Sequence, residues 1–350
     1  MFQFAQEYLN LKNPILDPSI ANVRGPQFSR NGLIFGFLSD VAPDRWGRKL
    51  IRRREKRELQ ESDFLIGESD FLIGVADVTR QGALRLKLDK AGPFVSQDMN
   101  DAAPPWTTLR KLESAAIHID ADDKGSDAER WVRDLFAPGS SLGGARPKAN
   151  VTAPDGSIWI AKFPSVKDDW DVGLKEYETS VLARKLGLLT PDTQCRKLSK
   201  AGTTFFSKRF DRDGAKRIHY ASAMTMIGAN DGEDGHGYLE IAEFISANSA
   251  DPVADLHELW GRMAFSAIIG NTDDHLRNHG FLLTERGWRL SPMFDVNPNP
   301  HGGASALDMG DLFEDSEYYR MSKKEAKQRF DRMHSVVKDF VGSSNLKILI

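Results

Sequence analysis

The chain has 350 residues, a length typical of about two domains and sufficient for a hydrophobic core without staples. Its 47 Lys and Arg against 50 Asp and Glu give a net charge of −3, which excludes a uniformly basic nucleic-acid coat and a disordered polyelectrolyte. The single Cys195 cannot form an intrachain disulfide, and the chain has neither a signal-peptide pattern nor a run of ~18 apolar residues. We therefore expect a soluble, cytoplasmic protein with no membrane span.

The first 90 residues combine short strand-like pieces with one basic helix. This helix is the run Arg45–Glu58, with eight Lys and Arg against two Glu. Such a run usually forms a solvated helix face, although it can also contact nucleic-acid phosphates. The seven residues Glu61–Gly67 recur as Glu68–Gly74, which we interpret as a local duplication and not as a repeat architecture.

The middle of the chain is predicted to be rich in strands. After a connector over Val95–Trp106, apolar residues at helical spacing predict a helix over 109–119. Two short apolar runs, Ala149–Thr152 and Ser157–Phe163, flank the turn residues Pro154-Asp155-Gly156 and predict a hairpin.

A helix from about Leu174 to Leu186, closed by Gly187, lies between strands. After Asp211 the pattern is mainly helical, with one apolar helix starting at Asp251-Pro252. We thus expect a small β lobe followed by a helical lobe. The predicted division is 1–105 as an accessory subdomain, 106–210 as the β lobe and 211–350 as the helical lobe.

The first segment that could carry chemistry runs from Ser140 to Lys148. Its adjacent Gly143 and Gly144 would let backbone N–H groups approach a phosphate, and Arg146 and Lys148 supply positive charge. It is not a Walker A loop, because no Gly-Lys-Ser/Thr closes it. A flexible turn is an equally good interpretation of this segment alone.

The second segment is the strand that ends at Lys162. Alternation places this lysine on the opposite strand face from Ala161 and Phe163, where it could act on bound phosphates as a point charge. The following helix offers Glu176 and Glu178, and an ion pair with either would hold the lysine as in protein kinases.

The third segment, Gly270–Gly280, follows an apolar helix and precedes a strand. Asp273 and Asn278 are five apart, the separation of the catalytic Asp and the metal-binding Asn in the kinase catalytic loop. Asp295, after an aromatic residue at a strand end, would be a second Mg²⁺ ligand. One carboxylate to accept a hydroxyl proton and hard oxygen ligands for Mg²⁺ are what phosphoryl transfer needs.

Two metal-site alternatives are weaker. His275 and His279 are four apart, a zinc spacing on a helix, but the residue after His275 is not Glu and the flanking glycines favour a loop. The acidic run 230–235 lacks oxygen-bearing side chains at the positions that an EF-hand requires.

Five short motifs carry a family resemblance. They are Asp44-Arg45-Trp46-Gly47-Arg48, Arg80-Gln81-Gly82-Ala83-Leu84-Arg85, Gly143-Gly144-Ala145-Arg146-Pro147-Lys148, Lys208-Arg209-Phe210-Asp211-Arg212 and Asn271-Thr272-Asp273-Asp274-His275. In this order, over about residues 35–300, they resemble the HipA family, the serine/threonine-kinase toxins of bacterial toxin–antitoxin pairs. The resemblance implies an α+β, protein-kinase-like fold of two lobes, mixed α/β in its N-terminal part and mainly helical in its C-terminal lobe.

The resemblance also implies roles for individual residues, with ATP and Mg²⁺ as cofactors. Asp273 would be catalytic, Asn278 and Asp295 would bind metal, and Ser141, with Ser140 adjacent, would be autophosphorylated. The implied ATP-binding residues are Gly143, Gly144, Ala145, Lys148, Lys162, Glu176, Lys208, Phe210 and His275.

The implied function is that of a protein kinase toxin restrained by a HipB-like helix-turn-helix antitoxin, which would bring it to operator DNA. The implied acceptor is a translation-related protein such as an aminoacyl-tRNA synthetase. Two alternatives stay open: a catalytically weak, DNA-associated regulatory partner of the antitoxin, and a small-molecule kinase. The family usually has additional N-terminal strand sequence before the equivalent of Phe4, so we expect that the chain starts late or lacks a piece. Further departures are the duplicated seven residues and an abrupt apolar end, Leu346–Ile350, which predicts a shortened helical lobe.

Overall fold

The computed structural model describes residues 1–10, 15–29, 34–58, 67–95, 102–123, 144–233, 235–299, 303 and 305–343. The chain divides into two compact units. The sheet unit comprises Val41–Val181 and Thr190–Ile218, and the helical unit comprises Met1–Asp40, Leu182–Leu189 and His219–Ile350. Chain order alone does not define these units, because the first forty residues group with the C-terminal ones.

The described α-helices are α1 (Gln6–Leu9), α2 (Gly36–Ser39), α3 (Arg45–Glu58), α4 (Glu68–Gly74), α5 (Leu109–Asp120), α6 (Val172–Lys185), α7 (Ala223–Met226), α8 (Tyr238–Asn248), α9 (Pro252–Ile269) and α10 (Lys323–Ser343). Short 3₁₀ turns occupy Asp77–Thr79, Trp106–Thr108, Leu276–Asn278 and Glu314–Tyr319. The strands are β1 (Lys148–Thr152), β2 (Ile158–Lys162), β3 (Thr193–Arg196), β4 (Thr204–Lys208), β5 (Arg212–Asp213), β6 (Lys216–Arg217), β7 (Tyr220–Ser222), β8 (Gly280–Thr284) and β9 (Gly287–Leu290).

The sheet unit is built around an antiparallel sheet of order β1-β2-β4-β3. The predicted hairpin is β1 and β2. In its turn the Asp155 carboxylate accepts hydrogen bonds from the backbone N–H and hydroxyl of Ser157, and Gly156 has a φ of +81°. The apolar face of α5 is buried in the same core as this sheet, and a fully buried side chain such as Ile119 contributes about 1.5–3 kcal/mol.

Four of the five motifs contact each other in pairs inside the sheet unit. Lys148 forms an ion pair with Asp44 at 3.0 Å, and its carbonyl accepts a hydrogen bond from the Trp46 indole. The backbone N–H of Gly82 donates to Asp211 Oδ2 at 2.7 Å, 129 residues further along the chain. Residues of these motifs therefore stabilise the fold, and they are also candidates for the functional site.

The helical unit is organised around α9. Asp251 caps this helix by accepting a hydrogen bond from Ala254 N–H, Pro252 occupies its first turn, and Gly270 ends it in the left-handed conformation at φ +68°. Its side chains Leu256, Leu259, Trp260 and Met263 are fully buried, whereas Ala267, on the apolar stripe that the sequence predicts, is exposed. The strands β7, β8 and β9 form a three-stranded antiparallel sheet, in which β8 and β9 follow the loop after α9 and β7 comes from the chain before α8.

The mixed α+β class is confirmed, as are the hairpin over 149–163 and the helices near 109–119, 174–186 and 252–269. The prediction of a mainly helical region after Asp211 missed the short pair β5 and β6, and it missed β7, which pairs with β8. The three-part division 1–105, 106–210 and 211–350 stays a prediction. Within the described ranges, no helix is long and apolar enough to cross a membrane.

Candidate active site

Lys162 forms a shielded ion pair in the sheet unit. Its Nζ lies 2.5 Å from Glu176 Oε1, and the two side chains are 13% and 5% exposed. Glu178 instead pairs with Lys175 at 3.0 Å. The choice that the sequence left open is thereby resolved in favour of Glu176.

Lys162 lies directly across the β1–β2 ladder from Lys148. Like charges opposite each other in a sheet repel, and each lysine has its own carboxylate, Glu176 or Asp44. The ladder therefore holds two cations side by side without a net excess of positive charge.

The described end of the glycine segment is also charge-paired. Gly144 and Ala145 are exposed, and Gly144 has a φ of +104°. Arg146 makes two hydrogen bonds to the carboxylate of Asp168, at 2.5 and 2.6 Å. A phosphate near this segment would have to compete with carboxylates for Arg146 and Lys148, whereas the sequence alone predicts two positive charges available to a phosphate. Ser140, Ser141 and Gly143 lie outside the described residues.

The motif around Lys208 and Phe210 has two kinds of residue. Lys208 ends β4, is partly exposed, and lies 3.8 Å from Asp192. Arg209 is buried and donates to both oxygens of Asp211, at 2.9 and 2.6 Å. Phe210 lies between Arg209 and Asp211 in the chain, and its role in holding adenine stays a prediction.

The loop after α9 brings Asp273 and Asn278 together in the helical unit. Asn278 Nδ2 donates to the backbone carbonyl of Asp273 at 2.8 Å, and Asn278 N–H donates to the His275 carbonyl at 2.8 Å. Asp273 is exposed and Asn278 is buried. Since the amide nitrogen of Asn278 donates inside the loop, the amide oxygen is the atom of this side chain that could act as a metal ligand.

Arg277 ties this loop to residues that the sequence analysis missed. It donates to both oxygens of Asp231, at 2.9 and 2.7 Å, and to Ser39 Oγ at 3.0 Å. Its Nη1 also lies 4.0 Å from Asp40. Burial raises the pKa of the Asp40 carboxyl, although hydrogen bonds from Ser222 and the charge of Arg277 oppose this shift. No local pattern around residue 40 signals this contact.

Asp295 has an unusual backbone. Its φ is +58°, and it is one of three non-glycine residues with positive φ in the described ranges. The chain leading to it is fixed, because Ser291 N–H donates to the Gly280 carbonyl at 2.8 Å and Arg262 donates to the Ser291 carbonyl at 2.6 Å. A rare backbone conformation in a well-held segment is typical of a functional site.

The chemistry of Asn278 and Asp295 fits Mg²⁺. Amide and carboxylate oxygens are the ligands that this ion prefers, and in phosphoryl-transfer sites it takes few protein ligands because phosphates supply others. In the described ranges no group of three or more His, Cys, Asp and Glu could hold a metal ion.

His275 and His279 lie on either side of a 3₁₀ turn and not along one α-helix. His279 Nε2 is hydrogen-bonded to Asp274 Oδ1 at 2.8 Å. His275 is half-buried, and its carbonyl receives the Asn278 N–H. This geometry does not favour the zinc alternative.

Comparisons with known proteins agree with the predicted family. A chain of the Shewanella oneidensis MR-1 complex of the toxin–antitoxin proteins HipA and HipB with operator DNA resembles this chain with a TM-score of 0.65. The sequences are 16% identical, over 97% of this chain and 85% of that chain. At this identity the likeness shows the fold, which confirms the predicted HipA-like α+β class.

Two curated relatives are each 28% identical to the chain. A protein of Haemophilus influenzae named "Putative kinase" matches 48% of this chain and 56% of its own length. A protein of Sinorhizobium fredii named "Putative kinase Y4dM" matches 62% of this chain and 59% of its own length. The chain thus spans somewhat over half the length of these relatives. The model of the HipA-like C-terminal domain matches residues 140–345, and since this is more than half of the sequence, the chain belongs to the HipA-like family.

Proposed function

We propose that the chain is an ATP- and Mg²⁺-dependent serine/threonine protein kinase that acts as the toxin of a toxin–antitoxin pair. The observation that carries this proposal is the loop after α9, in which the Asn278 side chain closes onto the Asp273 carbonyl at 2.8 Å. This loop contains the exposed residue Asp273 and the side-chain amide of Asn278, and a carboxylate and an amide oxygen are the two groups that phosphoryl transfer needs from this position.

The proposal gives each residue a separate task. Asp273 accepts the proton of the attacking hydroxyl, and Asn278 and Asp295 hold Mg²⁺. When bound, Mg²⁺ neutralises the negative charge of the phosphates. Lys162, oriented by Glu176, acts on phosphate oxygens in the manner of the strand lysine of protein kinases.

We propose nucleotide contacts for the residues to which the family resemblance assigns ATP binding. Gly143, Gly144, Ala145 and Lys148 would contact phosphates, and Lys208, Phe210 and His275 would contribute to the remaining nucleotide site. Autophosphorylation is proposed at Ser141. Because Arg146 and Lys148 are bonded to Asp168 and Asp44, a phosphate on Ser141 would compete with these carboxylates.

For partners we propose a HipB-like helix-turn-helix antitoxin, operator DNA reached through it, and a translation-related acceptor such as an aminoacyl-tRNA synthetase. The basic helix α3 supports indirect DNA contact. Arg48 is bonded to Glu68, and Lys49 and Arg53 to Asp122. Part of the charge that DNA phosphates would need is therefore already neutralised.

The test is transfer of ³²P from [γ-³²P]ATP with Mg²⁺, to the chain itself and to dephosphorylated casein as a general acceptor. Asp273→Ala should lower turnover by about 100-fold or more, the usual effect of losing a general base. Asp331→Ala removes an exposed carboxylate on α10 and is the matched control, with turnover unchanged. Equal turnover in the two variants would refute the proposal. So would the absence of ³²P transfer by the unmodified chain, both to itself and to casein.

A further inference from the structure

The carboxylate next to Asp273 is buried and fully engaged. Asp274 is 3% exposed, and it accepts hydrogen bonds from the Tyr238 hydroxyl, from Ser266 Oγ at 2.9 Å and from His279 Nε2 at 2.8 Å. Burial alone would raise the pKa of the Asp274 carboxyl. The charge of His279 and the three hydrogen bonds outweigh burial and hold this pKa below its ordinary value.

The donors to Asp274 come from rigid parts of the helical unit. Tyr238 is the first residue of α8 and Ser266 lies in the last turn of α9, and both are buried in the core. A buried carboxylate with several donors is costly to disturb, because losing it leaves those donors without partners. Asp274 thus fixes the start of the loop to the ends of two helices.

The end of the loop is fixed through the same carboxylate. His279 follows Asn278 directly and precedes Gly280, the first residue of β8. A Cβ at Gly280 would lie 2.3 Å from the ring of Tyr220, so any larger residue at the start of this strand would require the buried Tyr220 ring to shift. The imidazole of His279 packs edge-on against the ring of Tyr238, at 5.2 Å between centroids.

The loop is therefore closed by two neighbouring cross-links with the same five-residue separation. The outer one joins the Asp273 carbonyl to the Asn278 amide, and the inner one joins the Asp274 carboxylate to the His279 imidazole. The inner cross-link is buried, whereas the outer one ends at the exposed Asp273. Fixing the inner pair fixes the separation of the outer pair, because the residues are adjacent in the chain.

We propose that Asp274 and His279 are positioning residues, which hold Asp273 and Asn278 at the spacing that proton acceptance and metal binding require. This inference rests on the proposed kinase function. It adds to the proposed site two residues to which the motif spacing assigns no role there. Tyr238 and Ser266 serve the same pair by orienting the Asp274 carboxylate.

The variants are chosen to separate positioning from simple loss of the fold. Asp274→Asn keeps the size of the side chain and removes its charge. His279→Gln keeps an N–H donor in the place of Nε2, whereas His279→Ala removes it. Tyr238→Phe removes one hydroxyl and preserves the ring, so that a mild variant is available if Asp274→Asn fails to fold.

Two measurements are made on each variant of the full chain: the Mg²⁺ dependence of ³²P transfer to casein, and hydrogen exchange of the backbone amide of Asn278. We expect Asp274→Asn and His279→Ala to lower kcat by about 100-fold and raise the half-saturating Mg²⁺ concentration by about ten-fold. His279→Gln should recover most of both, and Tyr238→Phe should be intermediate. A role in folding alone would lower the active fraction without shifting the Mg²⁺ half-saturation.

Hydrogen exchange separates this inference from the proposed function. We expect faster exchange at Asn278 in Asp274→Asn, His279→Ala and, less strongly, Tyr238→Phe, and unchanged exchange in Asp273→Ala. If the unmodified chain transfers phosphate and these variants keep its Mg²⁺ half-saturation or its exchange rate, positioning is refuted while the kinase function stands. If the unmodified chain transfers none, the kinase function fails, and with it the assigned role.

Discussion

Lys162 Nζ lies 2.5 Å from Glu176 Oε1, so that a cation at the end of β2 is held by a carboxylate on α6. The ammonium group also lies 5.7 Å from the centre of the Phe205 ring. A lysine fixed from two directions loses little side-chain entropy when it binds a phosphate, in contrast to a solvated surface lysine.

The first prediction concerns this lysine. Lys162→Met should lower turnover by about 100-fold and weaken ATP binding, because it removes a positioned charge from the phosphates. Glu176→Gln should have the same direction with a smaller effect, since the ammonium remains but is no longer held. Calorimetric ATP titration and ³²P transfer measure both. Lys167→Ala, an exposed lysine of the same unit, is the control, and behaviour of Lys162→Met like this control would show that Lys162 has no role in binding ATP.

The second prediction separates stability from activity at Asp295. A left-handed φ of +58° costs a non-glycine residue about 1–2 kcal/mol, a cost that glycine avoids. Asp295→Gly should therefore be about 1 kcal/mol more stable than Asp295→Ala. Both should lose Mg²⁺-dependent transfer. Urea unfolding of the two variants decides the first part, and an Ala variant as stable as the Gly variant would contradict it.

The third prediction concerns pH and His219. Both of its ring nitrogens are buried without a hydrogen-bond partner in the described part of the chain, and burial lowers its pKa to about 4. In the unfolded chain the pKa is about 6.5, so the unfolded state takes up the proton first as the pH falls. The contribution of His219 to stability is thus complete above about pH 6.5 and falls by about 3 kcal/mol by pH 4.

Replacement of His219 by Phe should remove this pH dependence. The ring would keep its contact with Trp288, whose centroid lies 5.5 Å away, and no proton could be taken up. The measurement is urea unfolding between pH 4 and 7. An identical slope of unfolding free energy against pH in His219→Phe and the unmodified chain would contradict the assignment.

The fourth prediction concerns the buried charges of the sheet unit. Asp211 is bonded to Arg209 and Arg212, and although burial would raise the pKa of its carboxyl, these arginines and the Gly82 N–H hold that pKa below its ordinary value. Asp211→Ala leaves two arginines without their carboxylate and should cost about 3–5 kcal/mol. Asp213→Ala, two residues away and exposed, should cost no more than about 0.5 kcal/mol. Denaturant midpoints of both variants test the contrast.

Much of the fold was predictable because its signals are local. The turn Pro154-Asp155-Gly156 specifies the hairpin between Lys148 and Lys162, and Asp251-Pro252 with Gly270 marks both ends of α9. The spacing of Asp273 and Asn278 is also local, and the structure joins these two residues directly.

Contacts between distant segments were not predictable. Asp40 accepts hydrogen bonds from Ser222, 182 residues later, and nothing near either residue encodes which segments meet. Charge partners are hidden for the same reason. Arg146 and Lys148 are cations in the sequence, and only the folded chain supplies Asp168 and Asp44.

The pairing of Gly82 with Asp211 bears on what must be inherited together. The region that family comparison recognises begins at residue 140. Arg209 and Asp211 lie within this region, but their partners precede it. Arg209 donates to the carbonyls of Thr79 and Arg80, and Asp211 accepts from the Gly82 N–H. A fragment starting at residue 140 would leave buried charges facing water in place of their partners. Recombination at this boundary would thus separate residues that share one buried core. The segment that must be inherited together is therefore longer than the segment that the family model matches.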